Sequence, residues 1–507
     1  MPLLQELFYW FLKRRLSQIE AFKKEPVAVQ ERTFNSLIDF AKSTEWGEKY
    51  GYSSISTHDE YQSRVPVSTY EDLYPYFERL MKGEQNLLWS SEIRWFSKSS
   101  GTTNARSKFI PVSMEALDGC HFQGGKDIMS LYLSNVPETL VFKGKGLSIG
   151  GSLSVNEYDE GSFYGDISAV VMRNLPLWAQ FLRAPHLSIA LMDRWEEKIE
   201  KMAQATVNEN ITSILGVPTW TIVLIQRILE LSGARHIHEV WPNLEVFVHG
   251  AVAFEPYREL FSHLAPSRKM HYMETYNASE GFFGLQDDLS RNDMLLMLDY
   301  GVYYEFIPAG HWDEQHPKTL NIGEVELGKN YAILISTNSG LWRYKIGDTV
   351  KFTSLYPHRI RITGRTKHFI NAFGEELIIE NAEHAITQAC EQCGAEIVNF
   401  TAAPVYFGSG NKGAHEWAIE FERMPVDQAK FVKLLDEYLR KVNSDYDAKR
   451  YLDMALTEPL VHCVPKHTFH HWLKSKGKLG GQNKVPRLSN DRQVIEEVLS
   501  VAANIKG

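Results

Sequence analysis

GLWRYKIGDTVKFTSLYPHRIRITGRTKHFINAFGEEL, residues 340–377, decides how the chain is built. GLWRYKIGDTVKF reads as a strand-like run closed by YKIGD, Tyr344 to Asp348. The glycine allows a turn and leaves the Asp348 carboxylate at the strand end. HRIRITG reads as the next strand. After Thr363-Gly364-Arg365-Thr366-Lys367 the text changes, and FINAFGEELIIENAEHAI starts a new strand–turn–helix unit. A boundary is expected here, with residues 1–363 forming a large N-terminal domain, 364–367 a short charged hinge, and 368–507 a smaller C-terminal domain.

Upstream of the boundary, apparent strands (LSIGG near Leu147, LEVFVHG from Leu244, YAILIST from Tyr331) alternate with helical text such as RWEEKIEKMAQATVNEN and WTIVLIQRILELSG. That alternation implies an α/β body with covered sheets. Downstream, the strands VNFTAAPVYF and EWAIEFE and the helix FVKLLDEYLRKVNSDY make an α+β unit. The first 95 residues are mostly helical, and Ser68 to Glu71 reads as a capping box opening YEDLYPYFERLM.

Composition excludes several classes. Of 507 residues, 44% are hydrophobic and 23% charged, ordinary for a globular protein. The net charge of −9, with no basic tail or stripe, argues against nucleic acid and against anionic membranes. Leu4, Phe8, Phe11, Leu12, Leu16 and Ile19 fall at helical spacing, interrupted by Lys13, Arg14 and Arg15. They read as an amphipathic helix packed on the body; a membrane-surface helix is the alternative. Four cysteines make no disulfide framework, so the expected compartment is the cytoplasm. Cys390 and Cys393 form a lone CxxC in helical text, and His467, His470 and His471 lack accompanying acidic or cysteine ligands, so neither group reads as a metal site.

Three short segments carry chemistry. Ser99, Ser100, Thr102 and Thr103 bracket a glycine, a turn whose amides suit an anion, with Lys108 following; it is not a Walker loop, and a plain hairpin turn is the alternative. Tyr276 to Gly281, YNASEG, sets Ser279 beside Glu280; one carboxylate beside phosphates suits Mg²⁺, while helix capping is the bland account. Asp348 can accept hydrogen bonds from a ribose diol. Near the C-terminus, GKLGGQNKVPR offers Lys484, with Lys478 as a rival, on a glycine-rich segment able to bring charge to a phosphate.

The ordered set resembles the adenylate-forming enzymes, and among them the auxin-responsive Gretchen Hagen family of acyl-acid amido synthetases. The likeness runs through RVPVSTYEDLYPY, SSGTT, SEG, YKIGD, GRTKHFINAFGEEL and QNKVPR. It implies a ligase using ATP and Mg²⁺ to activate a carboxylic acid as an acyl-adenylate and to pass the acyl group to an amino acid. It also implies that the C-terminal domain, 368–507, is a mobile lid. By motif, Ser99, Ser100, Thr102 and Thr103 would cradle phosphate. Tyr276 would belong to the nucleotide site, and Ser279 and Glu280 would meet the α-phosphate and metal. Asp348 would hold the ribose, Arg365 would lie at the hinge, Gly250 and Ala251 would flank adenine, and Lys484 would act from the lid.

Departures mark a distant, bacterial-type branch: the phosphate loop lacks a further glycine, the chain is short, and Lys345 stands where arginine is common. An acid–CoA ligase or a silent nucleotide-binding protein are the alternative functions. Acyl specificity is expected from residues 140–230, with Phe163, Tyr164 and Trp220 as candidates.

Overall fold

A computed structural model describes residues 14–99, 108–149, 156–159, 161–192, 194–312, 314, 316–366, 369–407, 412–476 and 485–506. Its frame is an eleven-stranded mixed sheet. From one edge the strands run Val302–Pro308, Asn330–Thr337, Tyr344–Leu355, His358–Arg365, Met294–Leu296, Gly281–Leu285 and His271–Ala278, each antiparallel to the last. Four further strands, Val246–His249, Ile211–Gly216, Lys145–Ile149 and Arg183–Ala184, continue in parallel.

The parallel half follows from crossovers. Helix Pro218–Ser232 starts on a proline whose missing N–H costs nothing in the first turn and stops at Gly233 in the left-handed region, returning the chain to the next strand. Its Trp220, Ile222, Leu224, Ile225 and Ile228 are buried. A separate four-stranded sheet, Lys108–Val112, Trp95–Ser99, Ser162–Gly165 and Asn156–Asp159, flanks the body. The smaller C-terminal unit is the expected α+β piece: a three-stranded sheet of Glu396–Val405, Ala414–Arg423 and Leu460–Val464, with helices Ile379–Cys393 and Gln428–Val442 packed on it. Asn443 ends the second helix, its side chain capping helix Ser444–Arg450, so the single helix expected through Tyr446 is two.

One apolar core spans both parts, joining Trp220, Phe247 and Tyr257 of the body to Ile370, Phe373 and Trp417 beyond the boundary. Thr219 Oγ1 donates to the Phe373 carbonyl at 2.9 Å, and the Tyr257 hydroxyl donates to that of Ala372. At the other end, residues 14–24 are helical with Ile19 and Phe22 buried, and Arg15 is clamped by Asp127 and Asp299. This part of the expected N-terminal helix packs on the body; its first residues lie outside the described ones.

Two local expectations shift. The capping box sits one residue later, with Thr69 capping and Asp72 returning the bond, because Ser68 is taken up in a bridge to the strand at Tyr344. YKIGD does not close its strand either. Leu334 pairs with Lys345 but Ala332 pairs with Thr349, so two extra residues bulge out of a strand that continues to Leu355. Gly347, at φ +93°, makes the bulge possible.

Candidate active site

The bulge aims Asp348 at a deep cleft. Its Oδ2 accepts from the Tyr276 hydroxyl at 2.7 Å and its Oδ1 from Arg365 Nε at 2.6 Å. Asp348 faces Arg365 directly across the two strands. Arg365 also approaches Glu376 at 3.5 Å and lies over the Phe369 ring. Burial and the adjacent Asp348 push the Tyr276 phenol well above its ordinary range, so it remains a donor.

Ser279 and Glu280 form the two-residue turn between strands His271–Ala278 and Gly281–Leu285. No helix follows, so helix capping by Glu280 is excluded. Burial raises the Glu280 carboxyl; Lys108, its own backbone N–H and Arg365 oppose that rise. Burial conversely lowers Lys108, with Glu280 the main opposing charge, and its ammonium lies 5.4 Å from the Tyr70 ring centroid. Both side chains line the cleft, and each feels the other's charge.

Gly250 and Ala251 leave the strand Val246–His249 beside this group. A Cβ at Gly250 would fall 2.7 Å from the Thr275 carbonyl, and Ala251 is held at φ +70°. Both residues line the same cavity, of about 1760 Å³, as Tyr276, Ser279, Glu280, Asp348 and Arg365. The volume exceeds the 300–1000 Å³ usual for one small ligand, leaving room for a nucleotide and a second substrate. The same cavity is also lined by Gly146 and Ser213 of the sheet and by the apolar side chains of Phe142, Ile167, Val171, Met172, Leu175 and Trp220.

Trp220, one of the three residues expected to select the acyl group, lines this cavity. Phe163 and Tyr164 do not: they sit on the flanking sheet, their rings against Trp95 and Phe109. Lys345 lines the cavity and donates to the Trp312 carbonyl. Ser100, Thr102, Thr103, Lys478 and Lys484 lie outside the described residues, as does the Ser99 side chain. Among the described residues no group of three or more metal-ligating side chains occurs, and no helix is long and apolar enough to cross a membrane.

A model of the GH3 family N-terminal domain matches residues 15–270, that of the central domain 295–365, and that of the C-terminal domain 380–493. The chain belongs to the GH3 family. This GH3 chain is 23% identical to the indole-3-acetic acid-amido synthetase GH3.4 of Arabidopsis thaliana, over 94% of its own length and 91% of that protein's. It is also 23% identical to the jasmonoyl--L-amino acid synthetase GH3.5 of Oryza sativa subsp. japonica, over 67% and 70%. Its fold matches GH3.15 acyl acid amido synthetase at a TM-score of 0.62 and 16% identity, covering 96% and 95% of the two chains. It also matches 2-hydroxyisobutyryl-CoA ligase in complex with 2-HIB-AMP and CoA, at a TM-score of 0.56 and 13% identity over 96% and 94%. The GH3 fold is thus shared with enzymes of both product types.

Asp166, Asp445 and Lys449 also line the cavity, and sequence reading passed over them. Asp166 lies nearly 280 residues from the other two, and no spacing signal links such positions.

Proposed function

We propose that this GH3 chain is an ATP-dependent ligase that joins a carboxylic acid to an amino acid through an acyl-adenylate. The observation that carries the reading is the hydrogen-bonded set Tyr276–Asp348–Arg365 beside the Glu280 turn, lining one cavity with an apolar group that includes Trp220. Family membership and the amido synthetases among its relatives support it.

In this reading Asp348 accepts the ribose hydroxyls, and the backbone at Gly250 and Ala251 borders the adenine. Ser99, Ser100, Thr102 and Thr103 hold phosphate. Glu280 would hold Mg²⁺ with phosphate oxygens and water completing the shell, a donor set that suits this ion, and the ion would neutralise phosphate charge. The substrate carboxylate attacks the α-phosphate and pyrophosphate leaves. Lys108 and Lys484 lower the cost of the developing charge. The acyl chain lies in the cavity against Trp220, and water is kept from the mixed anhydride. The unit from 368 to 507 acts as the lid, turning about 364–367. Four cysteines, all free, suit a cytoplasmic enzyme.

Pyrophosphate release measured over a library of carboxylic acids, followed by mass spectrometry with an amino acid or with coenzyme A, tests the proposal. Acid-dependent release and an acyl-amino-acid product are expected. An acyl-CoA product alone would move the chain to the thioester-forming ligases, and no release with any acid would leave only nucleotide binding.

A further inference from the structure

Asp166 occupies the N-cap of helix Ile167–Arg173, the position where a carboxylate ordinarily accepts a backbone N–H, yet it makes no capping bond. It lines the cavity instead. Facing it from the C-terminal unit are Asp445, in the first turn of helix Ser444–Arg450, and Lys449, one turn on; Lys198 and Lys98 face it from the body. Burial and then Asp445 push the Asp166 carboxyl up to about 6, against the pull of the three lysines. Lys449 is itself buried, with its ammonium 5.1 Å from the Trp220 ring centroid. A Cβ on Gly374 would lie 3.7 Å from that ammonium.

Two carboxylates from different parts of the chain line one cavity within electrostatic reach of each other, and a buried ammonium lines it too. Like charges brought together in a poorly solvated place favour a cation between them, and a buried ammonium favours a carboxylate. A ligand with both groups on one carbon meets both demands. We propose that Asp166, Asp445 and Lys449 form the acceptor site for an α-amino acid, with its ammonium against the two aspartates and its carboxylate at Lys449, and that Asp166 takes the ammonium proton. This rests on the ligase reading above. The chemistry balances: the ammonium gives one proton to Asp166, and the freed lone pair forms the C–N bond to the acyl carbon. The acyl–oxygen bond breaks with its electron pair leaving on AMP, and the second nitrogen proton passes to solvent. Because the aspartates come from both sides of the boundary, the acceptor site forms only when the two units sit together as they do here.

The test compares wild type, Asp166→Asn and Lys449→Met in three assays: acid-dependent pyrophosphate release, amide formation with an amino acid, and trapping by hydroxylamine, a nucleophile that is neutral at pH 7. Asp166→Asn should lower amide formation at pH 7 on the order of 10²-fold, with partial recovery at pH 9 as free amine accumulates, and leave hydroxylamine trapping within about twofold. Lys449→Met should erase the preference for an amino acid over its carboxamide. Equal loss in amide formation and trapping, or no loss with either variant, overturns the proposal. If wild type releases no pyrophosphate with any acid, the ligase reading fails by itself. Calorimetric titration of wild type and both variants with amino acids then decides the acceptor site: binding weakened about tenfold or more in both variants supports it, and no binding or unchanged binding overturns it.

Discussion

Asp348→Ala should weaken ATP binding by roughly 10- to 150-fold, the equivalent of about 1.5–3 kcal/mol. Each carboxylate oxygen already accepts one bond, from Tyr276 at 2.7 Å or Arg365 at 2.6 Å, and each retains lone-pair capacity for a ribose hydroxyl. Two such charge-assisted bonds would sum to more. Removing Asp348 also leaves Arg365, near Glu376 at 3.5 Å and Glu280, to draw a phosphate, which offsets part of the loss. Tyr276→Phe keeps the acceptor and the ring contact with Phe283, so it should cost less than about fivefold. The assay is calorimetry with a non-hydrolysable ATP analogue and its 2′- and 3′-deoxy forms. Wild type should discriminate against both deoxy forms and Asp348→Ala against neither. The same deoxy penalty in both proteins, or an unchanged affinity in the folded alanine variant, would refute the assignment.

Glu280→Gln should raise the Mg²⁺ concentration needed for half-maximal pyrophosphate release while adenosine binding stays near wild type; superimposable magnesium titrations would remove Glu280 from the metal. Lys484→Ala should slow adenylation far more than it weakens ATP binding, because charge develops only in the transition state; damage from Lys478→Ala instead would shift the role to that residue. Acid should destabilise the fold early. Burial holds His249 down to about 3 and His358 to about 4, so the unfolded chain takes up these protons first as pH falls below 6.5. Their combined loss is about 2.4 kcal/mol per pH unit between pH 6 and 4.5, and a urea midpoint flat across that range would contradict it.

The sequence made the frame legible where a strand or helix carries its own punctuation. Helix Pro218–Ser232 announces both ends, whereas the strand before the Ser279–Glu280 turn reads HYMETYNA and carries no apolar signal of its own. Bulges and partner choice were not legible. Whether Asp348 ends a strand or protrudes from one depends on pairing with Asn330–Thr337, and whether Ser68 or Thr69 caps a helix depends on a bridge to Tyr344, far along the chain. Phe163 and Trp220 are equally apolar in sequence, and only sheet membership separates the one packed against Trp95 from the one lining the cavity.

The core that runs from Trp220 and Tyr257 into Ile370 and Phe373 bears on how this chain can be recombined. The body holds the backbone of the hairpin beyond the boundary through Thr219 and Tyr257, and the Asn371 amide reaches back to the Ala251 carbonyl. A chimera cut at residue 364 would therefore ask one parent's hydroxyls to seat another parent's main chain. A cut after Ile378 would instead keep strands Phe369–Ile370 and Leu377–Ile378 with the body residues that hold them here.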